Sequence, residues 1–167
     1  MQQINGALAM DLTHWIWLAT GAYGVHAFEE FELDWRNWAR AVIKLPVEWH
    51  DFYVVNFLVI VLGIVAAELA SAIPGVALAF PALMLVNAVF FHIGPYVMTR
   101  GRFSPGLITA VLLFLPIGTA CFIVAHDAGV LDATNLIGSF VLAAILMAMP
   151  VVLLHIKSTA YFRQDRP

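Results

Sequence analysis

The stretch Gly21-Ala-Tyr-Gly-Val-His26-Ala-Phe-Glu29-Glu30-Phe-Glu-Leu-Asp-Trp35-Arg-Asn-Trp-Ala-Arg40 decides how the chain is read. A long apolar run stops there on acids and gives way to a charged segment bearing tryptophans. Upstream, Leu12 to Glu30 is long enough to cross a bilayer, for which ~20 mostly apolar residues suffice. Four further runs of that kind follow, from Asp51 to Ala72, Val76 to Met98, Gly106 to Ala125 and Asn135 to Ile156. The expected fold is an all-α integral membrane bundle of five transmembrane helices. Pro74-Gly75 reads as the turn between the second and third.

Composition supports that class. Of 167 residues, 62% are apolar and 11% charged, with a mean hydropathy of +0.89. Soluble domains run at roughly 45–50% apolar and 25% charged. With net charge −3 and no basic patch or recognition motif, no nucleic-acid partner is expected. The single cysteine, Cys121, lies in an apolar run, which excludes a disulfide framework and reads as a small buried apolar residue. No basic residue precedes the first run, and the run ends on acids rather than a small-residue cleavage site, so a cleaved signal peptide is not expected. There is no internal repeat, and residues 1–167 read as one domain.

The eight basic residues fix a topology. With five spans, Arg36, Arg40 and Lys44 fall in the first loop, Arg100 and Arg102 in the third, and Lys157, Arg163 and Arg166 at the C-terminal end. All lie on one side. The opposite side, which holds Asp127 and Asp132, has none. The positive-inside rule then puts the N-terminus outside and the C-terminus in the cytoplasm. Within the first loop, Phe31, Trp35, Trp38 and Val42 share one helical face, and Arg36, Arg40 and Lys44 another. Residues 31–44 therefore read as an interfacial amphipathic helix in the headgroup plane, ended by Pro46.

This orientation brings polar residues to one level. His26, Glu29 and Glu30 lie at the inner end of the first span and His50 at the inner start of the second. Asn56 is about 9 Å deeper at ~1.5 Å per residue. His92 and Tyr96 belong to the inner part of the third span and His155 to the last turn of the fifth. Residues three and four apart share a helix face, so His26, Glu29 and Glu30 point together with Tyr23 one turn earlier. Pro95 frees the carbonyl of Phe91, which a membrane tolerates only where something else satisfies it. Adjacent carboxylates in low dielectric need a cation or a proton. His and Glu from several helices are also the ligands that bundles use for zinc and di-iron centres. The candidate metal ligands are His26, Glu29, Glu30, His50, His92 and His155. Glu29, Glu30, Tyr96 and Asn56 are candidate catalytic groups.

At these residues the chain resembles the HXXEE domain family of small bacterial membrane proteins. The naming motif stands as His26-Ala-Phe-Glu29-Glu30. A second family signature, an Asn and a His followed by a Pro-Gly segment, resembles Asn87-Ala-Val-Phe-Phe-His92-Ile and then Phe103-Ser-Pro105-Gly106-Leu-Ile-Thr-Ala. In the family the Asn and His are about four residues apart; here they are five apart, about 140° around a regular helix. Either the helix beside Pro95 is distorted or Asn87 is not a site residue. The resemblance implies a bacterial inner-membrane protein and supplies no reaction.

Three functions remain open. The first is a metal-dependent enzyme holding zinc or iron, singly or as a di-metal pair, and acting on a lipid or lipophilic small molecule from the cytoplasmic leaflet. The second is a metal-free acid–base lipid isomerase using the same groups. The third is a non-enzymatic ion or proton carrier. Membrane lipids are expected neighbours, and a homo-oligomer is compatible with everything above.

Overall fold

Long apolar runs in a membrane have no water to bond their backbone, so the chain satisfies its own N–H and C=O groups in helices. The computed structural model describes residues 11–162, and among them there are helices and no strand. In chain order these are α1 (Leu12–Glu32), α2 (Trp35–Val42), α3 (Trp49–Leu69), α4 (Pro74–Met98), α5 (Leu107–Asp127) and α6 (Ala133–Lys157). Their ends follow local chemistry. Asp11 accepts from the His14 N–H at 3.0 Å, and Asp132 from the Asn135 N–H at 2.7 Å. The Glu48 N–H donates to Asp51 at 3.0 Å where α3 begins, and Pro74 opens α4. Arg163 and Arg166 lie outside the described residues.

The protein is a membrane protein. α3, α4, α5 and α6, of 21, 25, 21 and 25 residues, are long and apolar enough to cross a bilayer. α1 matches α3 in length, but Thr13, His14, Thr20, His26 and Glu29 make it less apolar, and its place is central. It packs against α3 and α5, while α6 packs along α4. Ile16, Ala19, Phe80, Met84 and Phe114 form the fully enclosed middle. Gly63 is the close-approach point: a Cβ there would lie 2.6 Å from the Thr20 hydroxyl and 2.8 Å from the Phe80 ring. Cys121 is buried, as expected.

The first loop differs from the expected 31–44 helix. Phe31 and Glu32 continue α1, Asp34 turns the chain at φ 60°, and α2 covers only Trp35–Val42. Its apolar face does not stand open, for Trp35 and Trp38 pack against Leu45, Val47, Phe52 and Leu154. The basic face is tied down as well, because Arg36 and Arg40 both bond the Glu48 carboxylate. Hydrogen bonding from Arg36, then the charges of both arginines, holds Glu48 below the usual carboxylate range.

α4 and α5 each carry a π-helical stretch, Ala88–Ile93 and Ala110–Phe114, and the two pack on each other. A proline lies just beyond each: Pro95 and Pro116 cannot bond the carbonyl four residues back. In α4 the ladder shifts to five-residue bonds, with the Gly94 N–H donating to Val89. A Cβ at Gly94 would lie 2.8 Å from that carbonyl, so glycine is what lets the π turn close.

Candidate metal centre

His26 and Glu30 stand four apart on α1 and share a face. Opposite them the π stretch of α4 presents His92. Both imidazoles are fully buried, and Glu30 is 5% exposed. The Glu30 Oε1 atom lies 3.6 Å from His26 Nε2 and 3.5 Å from His92 Nε2. One ligand atom from each of the three residues falls within 4.8 Å of the others. The imidazoles meet edge to face at 4.8 Å, and Phe114 covers His26 at 4.2 Å.

The surrounding hydroxyls decide what these nitrogens offer. A hydroxyl has one hydrogen to give. Ser104 Oγ gives it to the Phe91 carbonyl at 3.3 Å, the one that Pro95 leaves free, and so accepts from His92 Nδ1 at 3.1 Å. Thr109 Oγ1 donates to Glu29 Oε2 at 2.6 Å, the short distance of a charge-assisted bond, and so accepts from His26 Nδ1 at 2.8 Å. Both Nδ1 atoms therefore carry protons, and both Nε2 atoms are bare lone pairs with no hydrogen-bond partner. Two lone pairs and a carboxylate oxygen face one another with no donor between them. A buried cluster of acceptors of that kind is costly unless a cation sits among them.

Glu29 and Glu30 do unlike work. One residue further around α1, Glu29 accepts from the backbone N–H groups of Gly106, Ile108 and Thr109 at 3.1, 3.2 and 2.8 Å. It thereby caps the start of α5, where the unpaired N–H groups and the helix dipole favour an anion. Gly106, at φ +92°, brings that loop onto the cluster. A Cβ there would lie 2.5 Å from His92 Cε1, 2.7 Å from His26 Cε1 and 3.0 Å from Glu30 Cγ.

Beside Glu30 is a cavity of about 90 Å³, also lined by Tyr23, Trp35, Asn56 and Asn87. Tyr23 donates to Asn56 Oδ1 at 2.9 Å, and Asn56 Nδ2 donates to the Phe52 carbonyl at 3.0 Å. The buried Asn87 Oδ1 and Trp35 Nε1 have no partner. The helix between Asn87 and His92 is distorted, with a π stretch at Ala88–Ile93. Asn87 lies just before the π stretch and lines the cavity, while His92 lies within the stretch and belongs to the cluster.

The structure brings together His26, Glu30 and His92, and places Asn56 on the adjoining cavity. Glu29 is adjacent but engaged in the cap. His50 is exposed, 3.3 Å from Asp51 and 3.2 Å from Lys157 Nζ. His155, also exposed, bonds the Val151 carbonyl at 2.8 Å. Tyr96 is 38% exposed and outside the cluster. A shared depth did not mean a shared direction: His50 and His155 sit near the right level on outward faces. Sequence reasoning passed over Ser104, Gly106, Thr109 and Phe114 as site residues. The available signal was two hydroxyls flanking a Pro-Gly turn just before an apolar run.

Comparison with known proteins fits this geometry. A family model described as "Protein of unknown function with HXXEE motif" matches residues 17–121, which include the whole cluster and both hydroxyls. No curated protein and no solved structure gives a match. On a match that spans more than half its length, the chain belongs to the HXXEE family.

Proposed function

We propose that His26, Glu30 and His92 hold one zinc or iron ion, and that the protein is a membrane enzyme acting on a lipid or lipophilic small molecule. The observation that carries this reading is the meeting of two bare imidazole lone pairs with a carboxylate oxygen, all buried. Spacing favours a metal over a shared proton. Two donor atoms bound to one tetrahedral zinc at about 2.0–2.2 Å lie about 3.3–3.6 Å apart. The two carboxylate–imidazole separations are 3.5 and 3.6 Å, and all three donor atoms lie within 4.8 Å of one another. A proton held between the same atoms would need about 2.7–3.2 Å. Three donors suit one ion; carboxylate-bridged pairs draw on more acids, and Glu29 is otherwise engaged.

Bound there, zinc would supply a water of near-neutral pKa, and iron would supply oxygen chemistry. The chain's own residues would do the rest. Ser104 and Thr109 orient the imidazoles, Phe114 shields His26 from solvent, and Glu30 joins the ion to the cavity. The same reading includes a bacterial inner-membrane location, α1 as a fifth span, α2 at the cytoplasmic headgroup level, and an outside N-terminus. It is supported by the one-sided distribution of Lys and Arg.

Metal analysis of the purified protein tests it. About one equivalent of zinc or iron is expected, and Glu30→Ala and His92→Ala should each lose it. Less than about a tenth of an equivalent, as isolated and after incubation with either ion, would overturn the metal and leave acid–base chemistry on the same three groups.

A further inference from the structure

A second space lies beside the site. Between α3 and α6 runs a groove of about 680 Å³, within the roughly 300–1,000 Å³ of small-molecule sites. Val54 and Leu58 on one wall and Met149 and Leu153 on the other are each more than half exposed, so in a membrane the groove opens sideways to lipid. The ion pair of Asp51 and Lys157 closes its inner end. The first turn of α4, Pro74–Ala77, packs against both helices at the outer end. Val55, Val59, Leu83, Leu146, Pro150 and Leu154 line both this groove and the cavity beside Glu30. The two therefore adjoin along a common wall that also carries Asp51, an apolar groove beside a more polar cavity.

The polar cavity is specific. Trp35 Nε1 offers a hydrogen and Asn87 Oδ1 accepts one, and both are buried without partners. Glu30 adds a carboxylate. An unpaired buried donor and acceptor are each costly, and a ligand that pairs with both is rewarded accordingly. The two unpaired groups are themselves neutral, an indole N–H and an amide oxygen, and the group that matches them is a neutral one that accepts from the first and donates to the second. It is also small: at ~10–15 Å³ per water, about 90 Å³ holds roughly six to nine waters, too few for a glycerophosphate headgroup.

We infer that the adjoining groove and cavity take a single-chain lipid ending in an uncharged group that both donates and accepts hydrogen bonds, of the long-chain alcohol or primary amide class. Its polar end lies against Asn87, Trp35 and Glu30, and its chain lies in the α3–α6 groove. The inference deepens the metal-centre reading, which supplies the chemistry at that end, but the binding does not require the ion.

The test uses the full chain in phosphatidylcholine nanodiscs, with hexadecanol carrying a mid-chain diazirine as probe. Photolysis followed by peptide mapping should put adducts on Val54, Leu58, Met149 and Leu153, and unlabelled hexadecanol should compete them away. Leu58→Trp, on the lipid-exposed wall where it leaves the fold intact, and Asn87→Leu should each lower labelling about tenfold, the lower end of what one pocket contact is worth. Metal content should not change in either. Adducts spread over lipid-facing Phe57, Val111 and Leu112, or labelling unmoved by both variants, would overturn the inference and leave the metal centre standing. Confined labelling in a protein that binds no metal would uphold it and remove only the ion.

Discussion

Neighbouring glutamates here have opposite settings. Glu30 faces two lone pairs and no donor; Glu29 faces four donors, three of them backbone N–H groups at the start of α5. Removing Glu29 leaves those donors, at buried Gly106, half-buried Thr109 and exposed Ile108, without their acceptor, at a cost of roughly 1–3 kcal/mol. Glu29→Ala should therefore lower the thermal midpoint in detergent while the protein still takes up metal, because no ligand atom is lost. If Glu29→Ala instead strips the ion and leaves the midpoint unchanged, the two roles are the reverse of those assigned. The motif was legible in the sequence as a pattern and as a helix face, since His26 and Glu30 are one turn apart. The division of labour between the acids was not. A one-residue step turns a side chain by about 100°, and the partner of Glu29 comes from residues 106–109, far along the chain.

At the level of elements, the positions of the long helices were legible because apolar runs of about 20 residues have few other uses. The prolines were legible as interruptions, and the freed Phe91 carbonyl does find a partner, Ser104. The π stretches were not, for proline signals a break without saying how the ladder mends. Here Gly94 decides it by making room for the Val89 carbonyl. A helix in the first loop was legible, but its shorter extent, Trp35–Val42, and the packing of its tryptophans depend on Leu45, Val47 and Leu154, which only tertiary packing supplies. Its attachment to α3 through Glu48 has a pH signature. Glu48 is held below the usual carboxylate value, so its contribution is complete above about pH 4.3, the unfolded value, and fades as pH falls through the lower folded one. Hydrogen exchange of α2 amides should be flat from neutral pH down to about 5, after correction for the intrinsic pH dependence. It should then rise in acid, by a smaller step at high salt, since the partly exposed pair is already screened there. Glu48→Gln should remove the step.

For the whole molecule, the charge asymmetry makes a prediction that contacts cannot. In a Cys121→Ser background, Ala128→Cys at the end of α5 should react with a membrane-impermeant maleimide in intact cells. Ser158→Cys at the end of α6 should react only once the membrane is opened. The reverse pattern would invert the assigned orientation. Position along each long helix was legible, because the apolar runs report it. Direction around each helix was not, which is why His50 and His155 stand outside a cluster that His26 and His92 enter.

The cap that Glu29 makes on α5 also bears on how the protein is made. Its acceptors wait for Gly106, 77 residues later in synthesis. Until that segment emerges, the inner end of α1 presents two adjacent, uncompensated acids, which belong in the headgroup layer rather than in hydrocarbon. The Glu29 contacts of the first helix are thus complete only once α5 is present. His92 arrives with α4 and Thr109 with α5, so an ion held as proposed would load late in biogenesis.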